Sequence, residues 1–420
     1  MKTNQYSGFH KLTMEQRAAE VAEFSGLTEE EIGRLTNPGA LTNEVADHVI
    51  ENVIGTYQLP VGVAMNFLIN GKEYVIPMVL EEASVVAAAS NAAKMARAAG
   101  GFTTSYTGNI MIAQVQCIGV ANPYFARQNI LHHKEEILAI ANEKDPVLVK
   151  LTGGAKDLEV RIVDSQIGPM VVTHLLVDTG DAMGANAVNT MAEAVAPTIE
   201  KLTGGTVKLR ILSNLADHRL ARATATFTKE AIGGEDVVDG VVAAYAFAAA
   251  DPYRAATSNK GIMNGIIPVV IATGNDTRAI ESGAHAYAAR SGQYSPFATW
   301  EKNADGDLVG SIEMPMAVGL VGGATKIHPA AKVAVKMLGV KTAGELAQII
   351  AAVGLAQNMA AMRALATEGI QRGHMSLHAR NLFATAGAPG ELLEKIVKQM
   401  VSEKNVRLEY AQELVKQYQK

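Results

Sequence analysis

Two adjacent carboxylates, Glu81 and Glu82, separate an apolar stretch from an alanine-rich one. One of them can face solvent, whereas the other should point inward at the end of a strand. A carboxyl group against an apolar wall has a raised pKa and can serve as a proton donor. The alternative is an acid in the first turn of a helix, where the helix dipole stabilises it. The sequence alone does not decide between these two roles.

A polar segment at residues 251–265 carries Lys260 among amides and hydroxyls. Because apolar stretches flank it, we expect a loop that joins an apolar helix to a buried strand at 266–273. A lysine held in such a loop can stabilise an oxyanion or form a Schiff base. The ordinary alternative is a loop lysine in a salt bridge.

Asp276 and a pair of histidines also have side chains suited to proton transfer. Asp276 follows the expected strand and opens a helix, a place where α/β sites gather, although aspartate is also a favoured N-cap. His374 and His378 are four residues apart and share a helix face, which suits a zinc pair or a general acid. A lone histidine is more often a structural residue.

The segment 181–189 follows an expected strand and opens a helix. Gly184 and Ala185 leave backbone N–H groups unobstructed at the helix N-terminus, an arrangement that suits a pyrophosphate. The usual glycine spacing of a dinucleotide site is absent. Taken alone, the segment therefore indicates an anion site only weakly.

Composition limits the class of protein that positions these groups. Hydrophobic residues make up 48% of the 420 residues, so the chain can build a large core. The net charge of -5 gives no indication of a nucleic-acid or membrane-surface binder. A single cysteine, Cys117, excludes an internal disulfide and a cysteine-rich zinc site, and no metal is expected. The polar N-terminus and the lack of an 18-residue apolar run favour a cytoplasmic protein.

The pattern of elements predicts two folding units. Asn70 and Gly71 predict a hairpin between strands at 61–69 and 73–80, and Ser84 can cap a helix at 85–99. A separate unit at 110–213 has the order β-α-β-β-α-β, which is the ferredoxin-like pattern. Its expected strands and helices are 111–120, 123–144, 158–163, 170–178, 184–202 and 206–212.

Six segments together resemble class II 3-hydroxy-3-methylglutaryl-CoA (HMG-CoA) reductase. They are ENVIGT at 51–56, LEEASVVAAAS at 80–90, DAMGAN at 181–186, the segment 251–265 with its lysine, GND at 274–276 and GHM at 373–375. Each motif alone is modest, but six in the family's order are highly specific. The match extends over roughly residues 39–381.

The resemblance implies a multidomain fold of the mixed α+β and α/β class, with three parts. Residues 1–109 and 214–372 would form a large α/β domain that binds HMG-CoA and dimerises. Residues 110–213 would form a small, inserted ferredoxin-like (βαββαβ) domain that binds NAD(P). Residues 373–420 would form a mobile, helical C-terminal flap. The family also implies an obligate homodimer with the active site at the subunit interface.

The implied reaction interconverts HMG-CoA with mevalonate and CoA by two successive hydride transfers, through mevaldyl-CoA and mevaldehyde. Glu82 matches the family's proton-transferring glutamate, and Lys260 matches the lysine that stabilises the developing oxyanion. Asp276 matches the aspartate that hydrogen-bonds this lysine. His374 matches the flap histidine that protonates the departing CoA thiolate. The physiological direction stays open.

The resemblance also implies binding residues. The substrate positions are Ser84, Arg254, Asn264 and Gln357, and the cofactor positions are Met183, Gly184, Ala185, Asn186 and Asn214. Asp145 stands where NAD-preferring members carry an acid, which accepts from the ribose 2′-hydroxyl and repels a 2′-phosphate. We therefore expect NAD(H) to be favoured and NADP(H) to be possible. The plain alternative is an aspartate that begins a helix before Pro146.

Two other classes of function remain as alternatives. One is a lyase that uses Lys260 as a Schiff-base nucleophile on a small carbonyl or acyl-CoA substrate. The other is a non-catalytic oligomer that binds CoA or a nucleotide. Neither explains an inserted small domain together with four proton-handling groups.

Overall fold

The computed structural model describes residues 11–37, 39–367, 369, 379, 382–383, 392–403 and 405–418. In chain order, the elements are α1 Met14–Ser25, α2 Glu29–Thr36, α3 Asn43–Asp47, β1 Val61–Ile69, β2 Lys72–Val79, α4 Val85–Ala96, β3 Phe102–Tyr106, β4 Ile110–Ile118, α5 Pro123–His132, α6 Lys134–Asn142, α7 Pro146–Thr152, β5 Ala155–Val163, β6 Met170–Asp178, α8 Ala185–Thr203, β7 Thr206–Ser213, β8 Leu220–Phe227, α9 Lys229–Ile232, α10 Glu235–Ala250, α11 Pro252–Ala272, α12 Thr277–Ala288, β9 Ala298–Lys302, β10 Leu308–Pro315, α13 Gly323–Ile327, α14 Pro329–Leu338, α15 Ala343–Ala366, α16 Leu393–Ser402 and α17 Leu408–Tyr418. The result is a mixed α/β fold with two separate sheets.

The larger sheet combines strands from both ends of the chain. Within the described residues its order is β2-β1-β3-β8-β10-β9. The β1–β2 hairpin pairs Ile69 with Lys72, and Asn70 and Gly71 both have positive φ, at 50° and 77°. Positive φ at both central residues is the requirement of a type I′ turn, so the predicted hairpin is confirmed.

Helices α4, α11 and α15 pack on one face of this sheet and share its hydrophobic core. Small residues bring two of them close together: a Cβ added to Gly354 of α15 would lie 2.8 Å from the side chain of Ile266. Helix α15 is long and apolar enough to cross a membrane by length and composition, but 67% of its apolar window is buried inside the protein. It is the central helix of the large core.

The smaller sheet has the order β5-β6-β4-β7 in the described part of the chain, and each neighbouring pair is antiparallel. Helices α5, α6 and α8 cover one face and enclose a second hydrophobic core. The expected helix at 123–144 is instead two helices, because the backbone at His133 leaves the helical region at φ -98°, ψ 19°. Helix α8 continues through Pro197 without a break.

The main error of the sequence analysis concerns residues 251–273. We expected a loop followed by a buried strand, and both predictions are wrong, because Pro252–Ala272 is one continuous helix. Asp251 caps it by accepting a hydrogen bond from the Tyr253 N–H, and Pro252 occupies the first turn. A short apolar run is compatible with either a buried strand or a buried helix. Packing against α15 decides for the helix.

Candidate active site

Glu82 and two residues of α11 form the polar centre of the site. Lys260 and Asn264 are one helical turn apart and therefore share a face of α11. Lys260 Nζ lies 3.2 Å from Glu82 Oε2, and Asn264 Nδ2 donates to Glu82 Oε1 at 3.3 Å. Glu82 thus takes the inward position of the acidic pair and Glu81 is exposed. With 65% of the lysine side chain and 38% of the glutamate side chain exposed, both groups are within reach of a ligand.

A cleft of ≈ 180 Å³ opens beside this centre. Its apolar lining includes Met263 and Ile267. Its polar lining consists of Glu81, Glu82, Lys260, Asn264 and Glu281. Sites for drug-sized ligands usually measure about 300–1,000 Å³. The cleft of one chain therefore fits the reacting end of a substrate and not a whole acyl-CoA molecule.

The rotational position of α11 depends on buried polar residues that the sequence analysis missed. Asn259 is fully buried, and its amide donates to Tyr294 Oη at 2.9 Å and to the Ser295 carbonyl at 3.0 Å. Its Oδ1 accepts from the Phe297 N–H at 2.9 Å. These bonds hold the back of α11, so that Lys260, the next residue, points into the cleft. The sequence did not indicate this role of Asn259, because a polar residue next to Lys260 is ordinary in an expected loop.

Ser84 has an unusual backbone at the start of α4. Its φ of 79° lies in the left-handed region, which a non-glycine residue adopts at a cost of roughly 1–3 kcal/mol. Its hydroxyl is buried and has no hydrogen-bond partner among the described residues. The expected side-chain cap of α4 is therefore absent. A strained residue with an unpaired hydroxyl beside Glu82 suits the binding of an oxygen-bearing group.

Two further predicted substrate positions lie on the helices that build the core. The buried Gln357 of α15 has an Oε1 without a hydrogen-bond partner within the described ranges, and its Cβ would be 2.8 Å from a Cβ at Gly265. Arg254, in the first turns of α11, is half-buried, and its Nη2 lies 3.7 Å from Met362 Sδ. The described part of the chain shows no ion pair of this guanidinium with a carboxylate.

Asp276 does not meet Lys260 within one chain. Its carboxylate caps α12 and accepts from Arg278 Nε at 3.1 Å and from the backbone N–H groups of Arg278 and Ala279. Partial burial opposes ionisation, but the hydrogen bonds with Arg278 and Ala279 outweigh it and hold the pKa of Asp276 below its usual value. The part of α11 that follows Lys260 extends for about 18 Å along the helix axis and ends near Asp276. His374 and His378 lie outside the described residues.

Comparison with known proteins decides the family. Residues 13–379 match the family model of hydroxymethylglutaryl-coenzyme A reductase. The reductase of Archaeoglobus fulgidus is 60% identical over 408 residues, which cover 97% of this chain and 93% of that protein. The chain belongs to the HMG-CoA reductase family. Its activity is accordingly that of an HMG-CoA reductase, an oxidoreductase of the mevalonate pathway.

Further relatives agree with this assignment. A probable HMG-CoA reductase of Borreliella burgdorferi is 36% identical over 349 residues, covering 80% of this chain and 78% of that protein. The class II HMG-CoA reductase of Streptococcus pneumoniae, solved bound to NADPH in open conformations, aligns with a TM-score of 0.76 at 40% identity. That alignment covers 97% of this chain and 99% of the other. The resemblance to class II HMG-CoA reductases is thus confirmed.

The candidate cofactor turn of this reductase precedes α8. Gly184 has φ 93° at the N-cap, and a Cβ there would lie 2.3 Å from Thr179 Cγ2, so only glycine fits. Met183, Ala185 and Asn186 flank it at the N-terminus of this 19-residue helix. The end of β7 lies beside the first turns of α8, because Asn189 Oδ1 accepts from the Leu212 N–H at 2.8 Å.

The other two predicted cofactor residues lie at the edges of this region. Asn214 is exposed just after β7, and its carbonyl would be 2.4 Å from a Cβ at Gly283 of α12. Asp145 caps α7 by accepting from the Leu148 N–H at 2.9 Å, which is the structural role considered as the alternative. Thr152, at the other end of α7, donates to the Asp178 carbonyl at 2.7 Å and places α7 beside the cofactor turn. Within the described residues, no group of three or more His, Cys, Asp or Glu could hold a metal ion.

Proposed function

We propose that the family reaction takes place at Glu82, Lys260 and Asn264. The single observation that supports this most is the ammonium group 3.2 Å from the carboxylate at the mouth of a half-apolar cleft. A thioester carbonyl placed there would gain negative charge on its oxygen during reduction. Lys260 would stabilise that charge, and Glu82 would transfer a proton to the oxygen.

The proposed sequence of events accounts for both reductions. The bound nicotinamide supplies each hydride. During the first reduction, Glu82 would protonate the thioester oxygen. As the hemithioacetal collapses, its hydroxyl proton would return to Glu82 while the C–S bond breaks, and the departing CoA thiolate would take a proton from His374. The aldehyde carbonyl then stays beside Lys260, and a second hydride and a second proton give the primary alcohol of mevalonate. The Schiff-base alternative is not favoured, because the chain belongs to a family of reductases.

We propose that Ser84 and Arg254 hold the rest of the acyl group and that Gln357 lines the pocket for CoA. The substrate carries a carboxylate and a tertiary hydroxyl at the end opposite the thioester. The Arg254 guanidinium can bind the carboxylate with two hydrogen bonds. The unpaired Ser84 Oγ and Gln357 Oε1 would gain partners from the ligand, which removes the cost of leaving them unsatisfied.

We infer a homodimer in which Asp276 of one chain completes the site of the other. Asp276 is too far from Lys260 in its own chain. Val61 and Met65 on the outer face of β1 are 60% and 46% exposed, and Val61 pairs with Val79, which lines the cleft. An apolar surface that is continuous with the cleft favours a protein interface there.

Mixing two inactive variants tests this arrangement. Lys260→Ala and Asp276→Ala homodimers are combined, dissociated and reassembled. If the two residues act across the interface, one site in each hybrid dimer is intact, and about a quarter of the wild-type activity returns. If they act within one chain, both hybrid sites are defective and no activity returns.

We also propose a division of the chain into domains. Residues 110–213 would be the ferredoxin-like NAD(P)-binding domain. The strand order β7-β4-β6-β5 supports this, because the domain's first and third strands, β4 and β6, lie in the centre of the sheet and its second and fourth strands, β5 and β7, lie at the edges. Residues 1–109 and 214–372 would form the substrate domain, and 373–420 the flap that carries His374. A cytoplasmic location fits the single buried cysteine and the burial of α15.

For the cofactor, we propose a preference for NADH over NADPH. Asp145 lies at the N-terminus of the short helix α7, and Thr152 at the other end of α7 contacts Asp178 just before the cofactor turn. The second carboxylate oxygen of Asp145 can accept from a ribose hydroxyl. The relative from S. pneumoniae was solved with NADPH, so the two cofactors must be compared directly. The decisive assay follows absorbance with HMG-CoA and either cofactor, and then with mevalonate, CoA and either oxidised cofactor. A lack of HMG-CoA-dependent oxidation of both cofactors would contradict the proposed active site.

A further inference from the structure

Arg219 is fully buried at the point where the chain returns from the small sheet to the large one. Its guanidinium donates to five acceptors from three separate segments. They are Tyr106 Oη at 2.6 Å, Thr179 Oγ1 at 3.0 Å, the Ala182 carbonyl at 3.2 Å, the Met183 carbonyl at 3.4 Å and the Val318 carbonyl at 2.5 Å. All five acceptors are neutral groups.

Three of these acceptors belong to the candidate cofactor turn. Thr179, Ala182 and Met183 directly precede the N-terminus of α8, so Arg219 binds this turn through its hydroxyl and carbonyl oxygens. Burying a guanidinium costs several kcal/mol unless polar groups surround it. Here the groups that accept from Arg219 are neutral, but the carboxylates of Asp178 and Asp181 lie near the same Tyr106, so the guanidinium acts on the turn mainly through its hydrogen bonds.

The remaining acceptors tie the turn to the large sheet. Tyr106 ends β3, and Val318 lies in the segment after β10. In that segment Leu320 N–H donates to the Asp181 carbonyl at 2.8 Å, and Gly319 N–H donates to Asn275 Oδ1 at 2.7 Å. A continuous set of hydrogen bonds therefore runs from Asn275, beside Asp276, to the cofactor turn.

We propose that Arg219 is a positioning residue for the nicotinamide cofactor. It fixes the turn at residues 179–184 relative to the large sheet and places one buried guanidinium behind the proposed site for the pyrophosphate. The inference rests on the proposed cofactor turn. It assigns no contact between Arg219 and the cofactor itself.

The Arg219→Lys variant tests this role. A lysine keeps the charge, but its single ammonium cannot reach Tyr106, Val318 and the turn together. We expect the KM for NAD(P)H and the Kd for ADP-ribose, measured by calorimetry, to rise by about tenfold or more, with the KM for HMG-CoA within about twofold of wild type. A smaller rise for the cofactor, or an equal rise for HMG-CoA, would overturn the proposal.

Two further variants keep the test independent of folding. Tyr106→Phe removes one acceptor and leaves the guanidinium in place, so it should fold and still weaken ADP-ribose binding; unchanged binding would count against the proposal. Arg17→Lys is the control, because Arg17 is a buried guanidinium away from the turn, bound to the Val53 and Leu12 carbonyls and paired with Asp47. The Arg17→Lys variant should be less stable than wild type and bind ADP-ribose equally well. Weakened binding in this control would mean that general destabilisation, and not the loss of Arg219, weakens binding.

The outcome for wild type separates this proposal from the proposed function. Wild type that binds no ADP-ribose would refute the cofactor turn, and the role of Arg219 with it. Wild type that binds ADP-ribose but does not reduce HMG-CoA would refute the proposed active site only. In that case, the effect of Arg219→Lys on ADP-ribose binding still decides the role of Arg219.

Discussion

Lys260 Nζ lies 3.2 Å from Glu82 Oε2, although 178 residues separate the two in the chain. The hairpin β1–β2 delivers Glu82, and α11 delivers Lys260 from the opposite side of the cleft. Both groups are partly exposed, so the ion pair itself contributes little to stability. In the proposed mechanism its value is in reactivity, because it would hold a cation and a proton donor beside the same carbonyl position.

Replacement of Lys260 by alanine should abolish most turnover without unfolding the protein. Removing one group that stabilises an oxyanion typically lowers kcat by about 10²–10³. The side chain is 65% exposed, so the thermal stability should change little. The matched control is Lys302→Ala, which removes a lysine bound by Glu235 and Asp239 far from the cleft. Hydride transfer near the wild-type rate in Lys260→Ala would contradict the role of this residue.

Ser84 allows the substrate role of its hydroxyl to be separated from its backbone strain. Ser84→Ala and Ser84→Gly both remove the hydroxyl, and we expect each to raise the KM for HMG-CoA by about tenfold, with no effect on the cofactor KM. Only glycine relieves the left-handed backbone, so Ser84→Gly should be more stable than Ser84→Ala by about 1 kcal/mol. Steady-state kinetics and denaturant unfolding measure the two effects. Unchanged affinity for HMG-CoA in both variants would exclude a substrate contact.

Asp145 should decide between the two nicotinamide cofactors. Asp145→Asn keeps the cap of α7 but removes the charge, so it should improve the use of NADPH relative to NADH by about tenfold. The measurement is kcat/KM with each cofactor at fixed HMG-CoA. Equal effects on both cofactors would mean that Asp145 only begins α7.

Much of the fold was predictable because local rules agreed with the final packing. The Asn70-Gly71 turn and the glycine before α8 each have a local physical cause. Helix α11 was not predictable in this way. Its β-branched residues Ile266, Val269 and Val270 favour a strand, and only their burial against α15 makes them helical.

The candidate site was predictable in part and for a different reason. The resemblance identified Glu82 and Lys260, and the structure brings them together. The roles of Asn259 and Arg219 depend on contacts with residues far away in the chain, and no local pattern contains them. The separation of Asp276 from Lys260 depends on the length of α11, which the expected loop and strand concealed.

Tyr287 should titrate well above an ordinary tyrosine. Burial, together with the hydrogen bond that its hydroxyl donates to Glu313, raises its pKa from 10.0 to about 12. Because the folded value is raised, the stabilisation is complete below pH 10.0 and is lost as the pH rises towards about 12. The difference in tyrosinate absorbance between wild type and Tyr287→Phe isolates this group. Glu313→Gln should lower the titration midpoint, and an unchanged midpoint would contradict the contribution of the carboxylate.

Cys117 should report on the opening of the small sheet. It is the only cysteine of the chain, it is fully buried in the second core, and burial raises the pKa of its thiol. We therefore expect a disulfide reagent to modify it slowly in the native protein and at once in denaturant.

A ligand that binds only the native form, in which Cys117 is buried, should slow this modification further. ADP-ribose at about 100 times its Kd should reduce the rate about a hundredfold if the cofactor turn belongs to the same cooperative unit. Lys208→Cys in a Cys117→Ala background places a thiol on the exposed surface of β7 and is the control, since it should react at once with or without ligand. Rapid modification of Cys117 in the native protein would contradict its burial in the second core. A modification rate that does not depend on ADP-ribose would show that the cofactor turn and this core do not open together.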